Sequence, residues 1–322
     1  MERLTQPQPV TRILSDSGAV RRVVFSTTEP EFRWIDVIAP DRPTLHSLTQ
    51  ELGLPSSTTE DCLDPRCLPK YERHGSVAFM ILRAHVDPVP DSAASSYELT
   101  QPLMIFTGPG FVVTVHRWDH SALARLRRDY AENGPTLEHP AFAVLEAVIQ
   151  ETMLTYQVPL DRLSADLERV EDSLLGPRLT ERALEAVFVR KRRASALAWM
   201  LLRIREVLLR VHAPTESMAP ALQALREDAD ALHFRARELV EYTDNLMNLQ
   251  IGIASHRTNE VMRVLTVMSV VFMPLTFVVG LYGMNFEAPE FHWRHGYLMV
   301  WVILVGLFIG VVRWFHARGW LR

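Results

Sequence analysis

Seven positions near the C-terminal end of the chain, Asn259, Met262, Thr266, Ser269, Met273, Thr276 and Gly280, follow one another in steps of 3, 4, 3, 4, 3 and 4 residues. On an α-helix this spacing places all seven on one face. Their neighbours are mostly Val, Leu and Phe, so nearly every small or polar side chain of the segment falls on the stripe. Two kinds of chemistry use such a pattern. Hydroxyls and an amide can line a water path, with Met as a narrow apolar ring that dewets. Small residues also let helices pack closely in an apolar medium. Periodicity alone leaves both open. Just beyond the stripe stand Tyr282-Gly283-Met284-Asn285, and then the carboxylates Glu287 and Glu290. Those two carboxylates would draw cations if several copies of them ringed one axis.

The elements that must hold these residues are apolar. Val264–Tyr282 and Gly296–Val312 contain no charged residue. At a rise of about 1.5 Å per residue, runs of this length cross a hydrocarbon layer of about 30 Å. Tyr297, Trp301, Trp314 and Trp320 are placed as interfacial belt residues. The alternative, two buried core helices of a soluble domain, fits poorly with two such runs separated by a short polar loop. Arg257 and Arg263 precede the first run, and Arg313, Arg318 and Arg322 end the second, whereas the loop between them carries only Arg294. The excess of positive charge predicts a hairpin in the cell membrane, with both termini in the cytoplasm and the loop outside. Two spans cannot enclose a pore, so a conducting path requires an oligomer around a symmetry axis.

Composition narrows the partners. The net charge is −4, which argues against a nucleic-acid partner. Cys62 and Cys67 make neither a disulfide framework nor a zinc signature and are expected as reduced thiols. The first residues, Met-Glu-Arg-Leu-Thr-Gln-Pro, lack the apolar stretch of a secretory leader, so the N-terminal part is expected in the cytosol. No G-x-x-x-x-G-K-[ST] run is present to bind a nucleotide. The one crowded constellation is His116-Arg117-Trp118-Asp119-His120, whose two histidines stand four apart, a spacing that could hold a metal on a helix. It lacks the H-E-x-x-H pattern and follows a strand, so it reads as a surface cluster where a strand passes into a loop. No catalytic residue and no catalytic cofactor are expected.

The rest of the chain divides by period. Residues 1–135 read as a cytosolic α/β domain. Its β-rich runs lie over residues 20–40, 76–86, 102–107 and 111–116, and a helix starts at Asp41 and Pro43 and runs to Gly53. Residues 136–257 read as a helical and stalk region, with helices over 140–157, 160–175 and 180–212 punctuated by Pro159, Gly176-Pro177 and Pro214. A further helix starts near Pro220. Its stripe Leu225, Ala229, Leu232, Ala236, Leu239, Thr243, Leu246, Gln250, Ile253 has the spacing of a coiled-coil seam and runs without a break into the first span. One helix of about 60 residues, about 90 Å long, is expected. Residues 258–322 form the transmembrane hairpin: spans at about 264–282 and 297–315, the loop 283–296, and a short tail.

Tyr282-Gly283-Met284-Asn285, with Pro289-Glu290 and Trp293-Arg294-His295-Gly296-Tyr297 after it, resembles the outer loop of the CorA family of divalent-cation channels. Thr258-Asn259-Glu260-Val261-Met262 and Phe272-Met273-Pro274-Leu275-Thr276 are similar to that family's first span. The loop is one residue shorter than the family's common form, Ala288 stands where Met is frequent, and the tail is less basic than many. The resemblance implies a homopentamer in the lipid bilayer with a funnel-shaped cytosolic part. Gly283, Met284 and Asn285 would then form an entrance filter for a hydrated ion. Asn259, Met262, Thr266, Ser269, Met273, Thr276 and Gly280 would line the pore, with Leu265 near its inner constriction. The loop favours Mg2+ as the transported ion over the zinc-transporting branch, with Co2+ and Ni2+ as further ions. Family members are also gated by cytosolic Mg2+ held between subunits by carboxylates. No motif places that site here; the acidic candidates are Glu227, Asp228, Asp230, Asp161, Asp166, Glu171 and Asp172, each of which also reads as part of a solvated helix face. A non-conducting membrane-anchored sensor or scaffold is the rival of another class, and it would have no use for the polar stripe or Asn285.

Overall fold

The computed structural model describes residues 10–17, 20–27, 31–90, 92–133, 139–174, 181–284 and 293–320. The chain falls into two compact units, Met1–Met247 and Asn248–Arg322.

In the first unit, strands β1 (Val10–Ser17), β2 (Val20–Thr27), β3 (Phe32–Ile38), β4 (Lys70–His74), β5 (Val77–His85), β6 (Thr100–Gly108) and β7 (Phe111–His116) make one sheet of order β1-β2-β3-β7-β6-β5-β4. Only β3 and β7 pair in parallel, Ile35 opposite Val113; the other neighbours run antiparallel. Successive side chains point to opposite faces, and both faces are covered. Ile35, Val37, Phe79, Ile81, Met104, Phe106, Val113 and Val115 pack with Leu45 and Leu48 of α1 (Arg42–Glu51) and Cys62 of α2 (Ser56–Leu63). The Asp41 side chain caps α1 by accepting from the Thr44 N–H at 2.9 Å, and Pro43 sits in its first turn. Cys62 and Cys67 are both free and buried.

The opposite face, with Phe25, Trp34, Met80, Leu82, Leu103, Ile105 and Val112, packs against the long helices. A single turn, α3 (Ser96–Leu99), precedes β6, and α4 (Ser121–Asn133) follows β7. Next come α5 (Pro140–Leu174), α6 (Glu181–Arg210), α7 (Ala219–Tyr282) and α8 (Gly296–Ala317). Helix α5 corrects the sequence reading, because it does not stop at Pro159 but passes through it. Proline removes one backbone bond at about 3 kcal/mol or more. Contacts on either side hold the helix all the same. Tyr156 donates its hydroxyl to the Arg83 carbonyl at 2.7 Å, Thr155 accepts from the His85 N–H at 2.9 Å, and Leu160, Leu163 and Leu167 are buried.

Helix α7 is 64 residues long, about 96 Å. Its seam is buried as the spacing predicts: Leu225, Ala229, Leu232, Ala236, Leu239 and Leu246 share one core with α5 and α6, and Thr243 is buried among them. Ion pairs flank the seam, with Arg235 on Asp161, Arg205 on Asp230 and Lys191 on Asp244.

The second unit holds the remainder of α7 and α8. On this part of α7 Gln250 and Val271 are buried and Ile253, Val267, Pro274, Leu275, Val278 and Tyr282 half-buried; on α8 Gly296 and Phe315 are buried and Met299, Val300, Leu304, Leu307, Val311 and Val312 half-buried. Within them Val267, Val271, Leu275 and Val278, and Val300, Leu304, Leu307, Val311 and Phe315, advance in steps of three and four, as packed helices require. The remaining surface is apolar and open. Phe277 is 70% exposed, Met273 71% and Tyr297 80%, and both helices are long and apolar enough to cross a membrane. Large apolar side chains in such number do not face water in a soluble protein.

Candidate functional site

Within the second unit α7 has two opposed faces. Val271 is 8% exposed and centres the covered one. At 100° per residue, Ser269, Met273 and Thr276 lie nearly half a turn away from it. Asn259, Met262, Leu265, Thr266, Ser269, Met273, Thr276 and Gly280 are all exposed. The polar stripe is therefore not what packs α7 inside this chain. The same face continues toward the helix start through Ser255, Gly252 and Asn248, again in steps of 4, 3 and 4, and these are exposed as well. The sequence reading starts the stripe at Asn259, although the periodicity carries it further toward the helix start.

The hydroxyls on the stripe have a fixed polarity. Thr266 donates to the Met262 carbonyl at 2.7 Å, and Ser269 donates to the Leu265 carbonyl at 2.9 Å. Each proton is consumed within the helix, so the outward side of each oxygen offers lone pairs only. A row of acceptors suits a cation that travels with its water shell, because those waters point their hydrogens outward.

Helix α7 ends at Tyr282 and continues into Gly283 and Met284, both exposed. The Gly283 N–H bonds the Val279 carbonyl at 2.9 Å, and the Met284 N–H bonds the Leu281 carbonyl at 3.4 Å. A Cβ on Gly283 would stand 3.0 Å from the Val279 oxygen, so the tight turn at this end favours glycine. At Gly280 a Cβ would meet nothing. The last carbonyls of a helix carry about half a negative charge together, which places a cation-attracting end beside Gly283. Asn285, Glu287 and Glu290 lie outside the described residues.

The acidic candidates of the first unit are mostly occupied. Asp161 pairs with Arg235, Asp166 with Arg169 and Arg190, and Asp230 with Arg205. Glu171 accepts from the Tyr242 hydroxyl, and Glu227 accepts from the Gln223 amide at 3.0 Å. Asp161 and Asp228 line one surface groove together with Arg235, Gln150 and Gln157. Asp172 lies near Tyr242 and helps to raise its phenol pKa, which the Glu171 hydrogen bond pushes up to about 12. Among the described residues no three His, Cys, Asp or Glu side chains form a group that could hold a metal.

The histidine constellation has another use. His116 Nε2 stands 3.0 Å from Asp36 Oδ1, and its Nδ1 stands 2.6 Å from the Trp118 carbonyl oxygen. Both ring nitrogens are taken. Asp36 is fully buried; it also accepts from the Thr114 hydroxyl at 2.5 Å and pairs with Arg127, which reaches on to Asp119. The cluster ties β3, β7 and α4 together; His120 Nε2 is buried beside it without a hydrogen-bond partner, but no third ligand stands with the two histidines among the described residues.

A family model described as CorA-like Mg2+ transporter protein matches residues 29–317. The cobalt/magnesium transport protein CorA of Thermotoga maritima is 24% identical, over 92% of this chain and 88% of its own length. The complete structure of the CorA magnesium transporter from Methanocaldococcus jannaschii superposes with a TM-score of 0.75 at 22% identity, covering 90% of this chain and 92% of that one. The full-length CmaX protein gives 0.70 at 17% identity over 99% of each chain. The α/β domain, the long helix and the two apolar C-terminal helices are thus a known arrangement, and the chain belongs to the CorA-like Mg2+ transporter family, a family of membrane transporters of divalent cations.

Proposed function

We propose that this protein conducts hydrated Mg2+ across the cell membrane, through a path formed where copies of the α7 stripe face a common axis. The observation that carries this reading is the opposition of faces on α7. Val271 is buried with Val267, Leu275 and Val278 half-buried around it, the stripe opposite is exposed, and Thr266 and Ser269 turn lone pairs outward. A homopentamer, as the family resemblance implies, supplies one stripe per subunit. Gly283, Met284 and Asn285 then form the entrance at the negative end of α7, and Glu287 and Glu290 raise the local cation concentration. Mg2+ gives up its waters reluctantly. Neutral amides, hydroxyls and carbonyls bind those waters without removing them, whereas carboxylates in the filter would hold the ion too firmly to pass it on. The driving force is electrical, about 4.6 kcal/mol inward for a divalent ion at 100 mV. The arginine distribution, with Arg257, Arg263, Arg313 and Arg318 flanking the spans, supports an orientation with both termini in the cytoplasm. Cytosolic Mg2+ closes the path by bridging carboxylates of adjacent subunits, for which Asp161 and Asp228 in their shared groove are the foremost pair.

The test is flux into liposomes that hold the purified protein, at a clamped potential, with Mg2+, Co2+, Ni2+ and Zn2+ in competition. Asn285→Ala should abolish Mg2+ flux while the oligomer survives. Wild-type flux from that variant would refute the filter assignment. No flux from the wild-type protein would favour a sensor or scaffold.

A further inference from the structure

The second span does not end in a frayed helix. Arg318 caps α8, and Gly319 follows with φ +73°. The Gly319 N–H bonds the His316 carbonyl at 3.0 Å, and the Trp320 N–H bonds the Phe315 carbonyl at 3.0 Å. This is the paired 5→2 and 6→1 pattern that closes a helix through a left-handed glycine. It folds the chain back so that Trp320 meets Phe315, ring centroids 5.7 Å apart. Trp314 stands edge-on to Phe315 at 5.1 Å, and the Arg318 guanidinium lies 5.4 Å from the Trp314 ring centre. Phe315 is only 2% exposed, whereas Trp314 and Trp320 remain 53% and 43% exposed.

We infer that this capped cluster is a binding surface for the phosphate of an anionic phospholipid in the headgroup layer. Three observations carry the inference. The cluster lies at the right depth, since Arg313 is the first charge after the uncharged run that starts at Gly296. The segment Gly296–Trp320 contains Arg313 and Arg318 but no Asp or Glu, so it holds no anion of its own for its two cations. The cap also fixes Arg318 in advance. Its guanidinium is parked over an indole face, an arrangement that desolvation in the interface strengthens, and its hydrogen-bond donors remain for a phosphate. The two exposed indoles flank it with surfaces that favour the same layer. Binding there would set the depth of α8 and resist its sliding. It goes beyond the transport reading, since neither filter nor stripe takes part.

The experiment uses the full chain reconstituted with equal phosphatidylglycerol and phosphatidylcholine, then stripped with mild detergent, with retained lipid counted by native mass spectrometry. The wild type should retain phosphatidylglycerol preferentially. Arg318→Gln should lower that preference about fivefold, as one interfacial charge implies. Gly319→Ala, which strains the left-handed turn, should lower it as well, while Trp301→Leu should leave it unchanged. Added inorganic phosphate should not displace the lipid. Retention unaffected by Arg318→Gln, or lost equally in Trp301→Leu, would overturn the proposal, as would displacement by free phosphate. A change of oligomeric state in lipid-free detergent, with lipid retention intact in Arg318→Gln, would assign the surface to a second copy instead. Ion flux measured on the same samples separates failure of this proposal from failure of the transport reading.

Discussion

The Thr266 hydroxyl donates to the Met262 carbonyl, 2.7 Å away and one turn earlier on the same face of α7. That bond makes Thr266 an outward acceptor, and Ser269 repeats it on Leu265. Thr266→Val keeps the shape and removes the acceptor, as Ser269→Ala does with less volume. Each should lower Mg2+ flux about tenfold, the effect of one lost hydrogen bond of about 1.4 kcal/mol in a ring of copies, and leave helix content and assembly unchanged. Flux at the wild-type level in both would show that the stripe does not line the path.

Gly280 and Gly283 stand three residues apart but answer differently to a methyl group. Gly280→Ala meets open space within the chain and suits a helix, so folding should be unharmed or slightly improved. Any loss of flux in that variant then reports crowding on the axis. Gly283→Ala brings Cβ to 3.0 Å from the Val279 oxygen and forces the end of α7 to shift. Flux should fall further in Gly283→Ala than in Gly280→Ala, with little change in the melting temperature. The opposite order would remove Gly283 from the entrance.

The parts of this fold that were legible in the sequence are those in which one helix face decides the outcome. The seam from Leu225 to Leu246 and the stripe from Asn259 to Gly280 are both period signals; the seam is buried and the stripe is exposed. The continuity of α5 through Pro159 was not legible, because Tyr156 and Thr155 hold the helix to β5 across the fold. Helix α4 was missed for a similar reason. Its Arg127 answers to Asp36, 91 residues earlier, and nothing local announces that. The acidic candidates show another limit. A carboxylate on a helix reads alike whether it is free or paired, and only the fold reveals that Asp161, Asp166 and Asp230 already have arginine partners.

Asp161 and Asp228 share a groove in which a single cation, Arg235, pairs with Asp161. A divalent ion bridging that groove to another subunit would compete with the guanidinium. Asp161→Asn with Asp228→Asn should therefore leave transport open at internal Mg2+ levels that shut the wild type, shifting the inhibitory concentration at least tenfold. Arg235→Gln should shift it the other way, because the competitor is gone. Inhibition unchanged in both variants would move the regulatory site elsewhere.

Stability should fall in two stages on acidification. Burial pushes His85 down to about 4; Asp87 opposes this, and Arg162 and Arg193 reinforce it. Burial likewise takes His120 to about 4, with His116 reinforcing and Asp119 and Asp36 opposing. Unfolding releases both to the usual value of 6.5. Between pH 6.5 and about 4 the unfolded chain therefore binds protons that the folded chain refuses, and stability drops as pH falls through that window. The loss is on the order of 3 kcal/mol for each histidine. For Asp36, burial raises the pKa, but His116, Arg127 and Thr114 outweigh it and hold the carboxyl below 3.8. Its contribution is intact above that value and is lost only as pH falls below it. Chemical denaturation of the full chain in detergent, followed by far-UV circular dichroism from pH 7.5 to 3, resolves the stages. His120→Leu should flatten the first stage by about half. An undiminished slope in that variant would mean that His120 already carries its proton in the folded state.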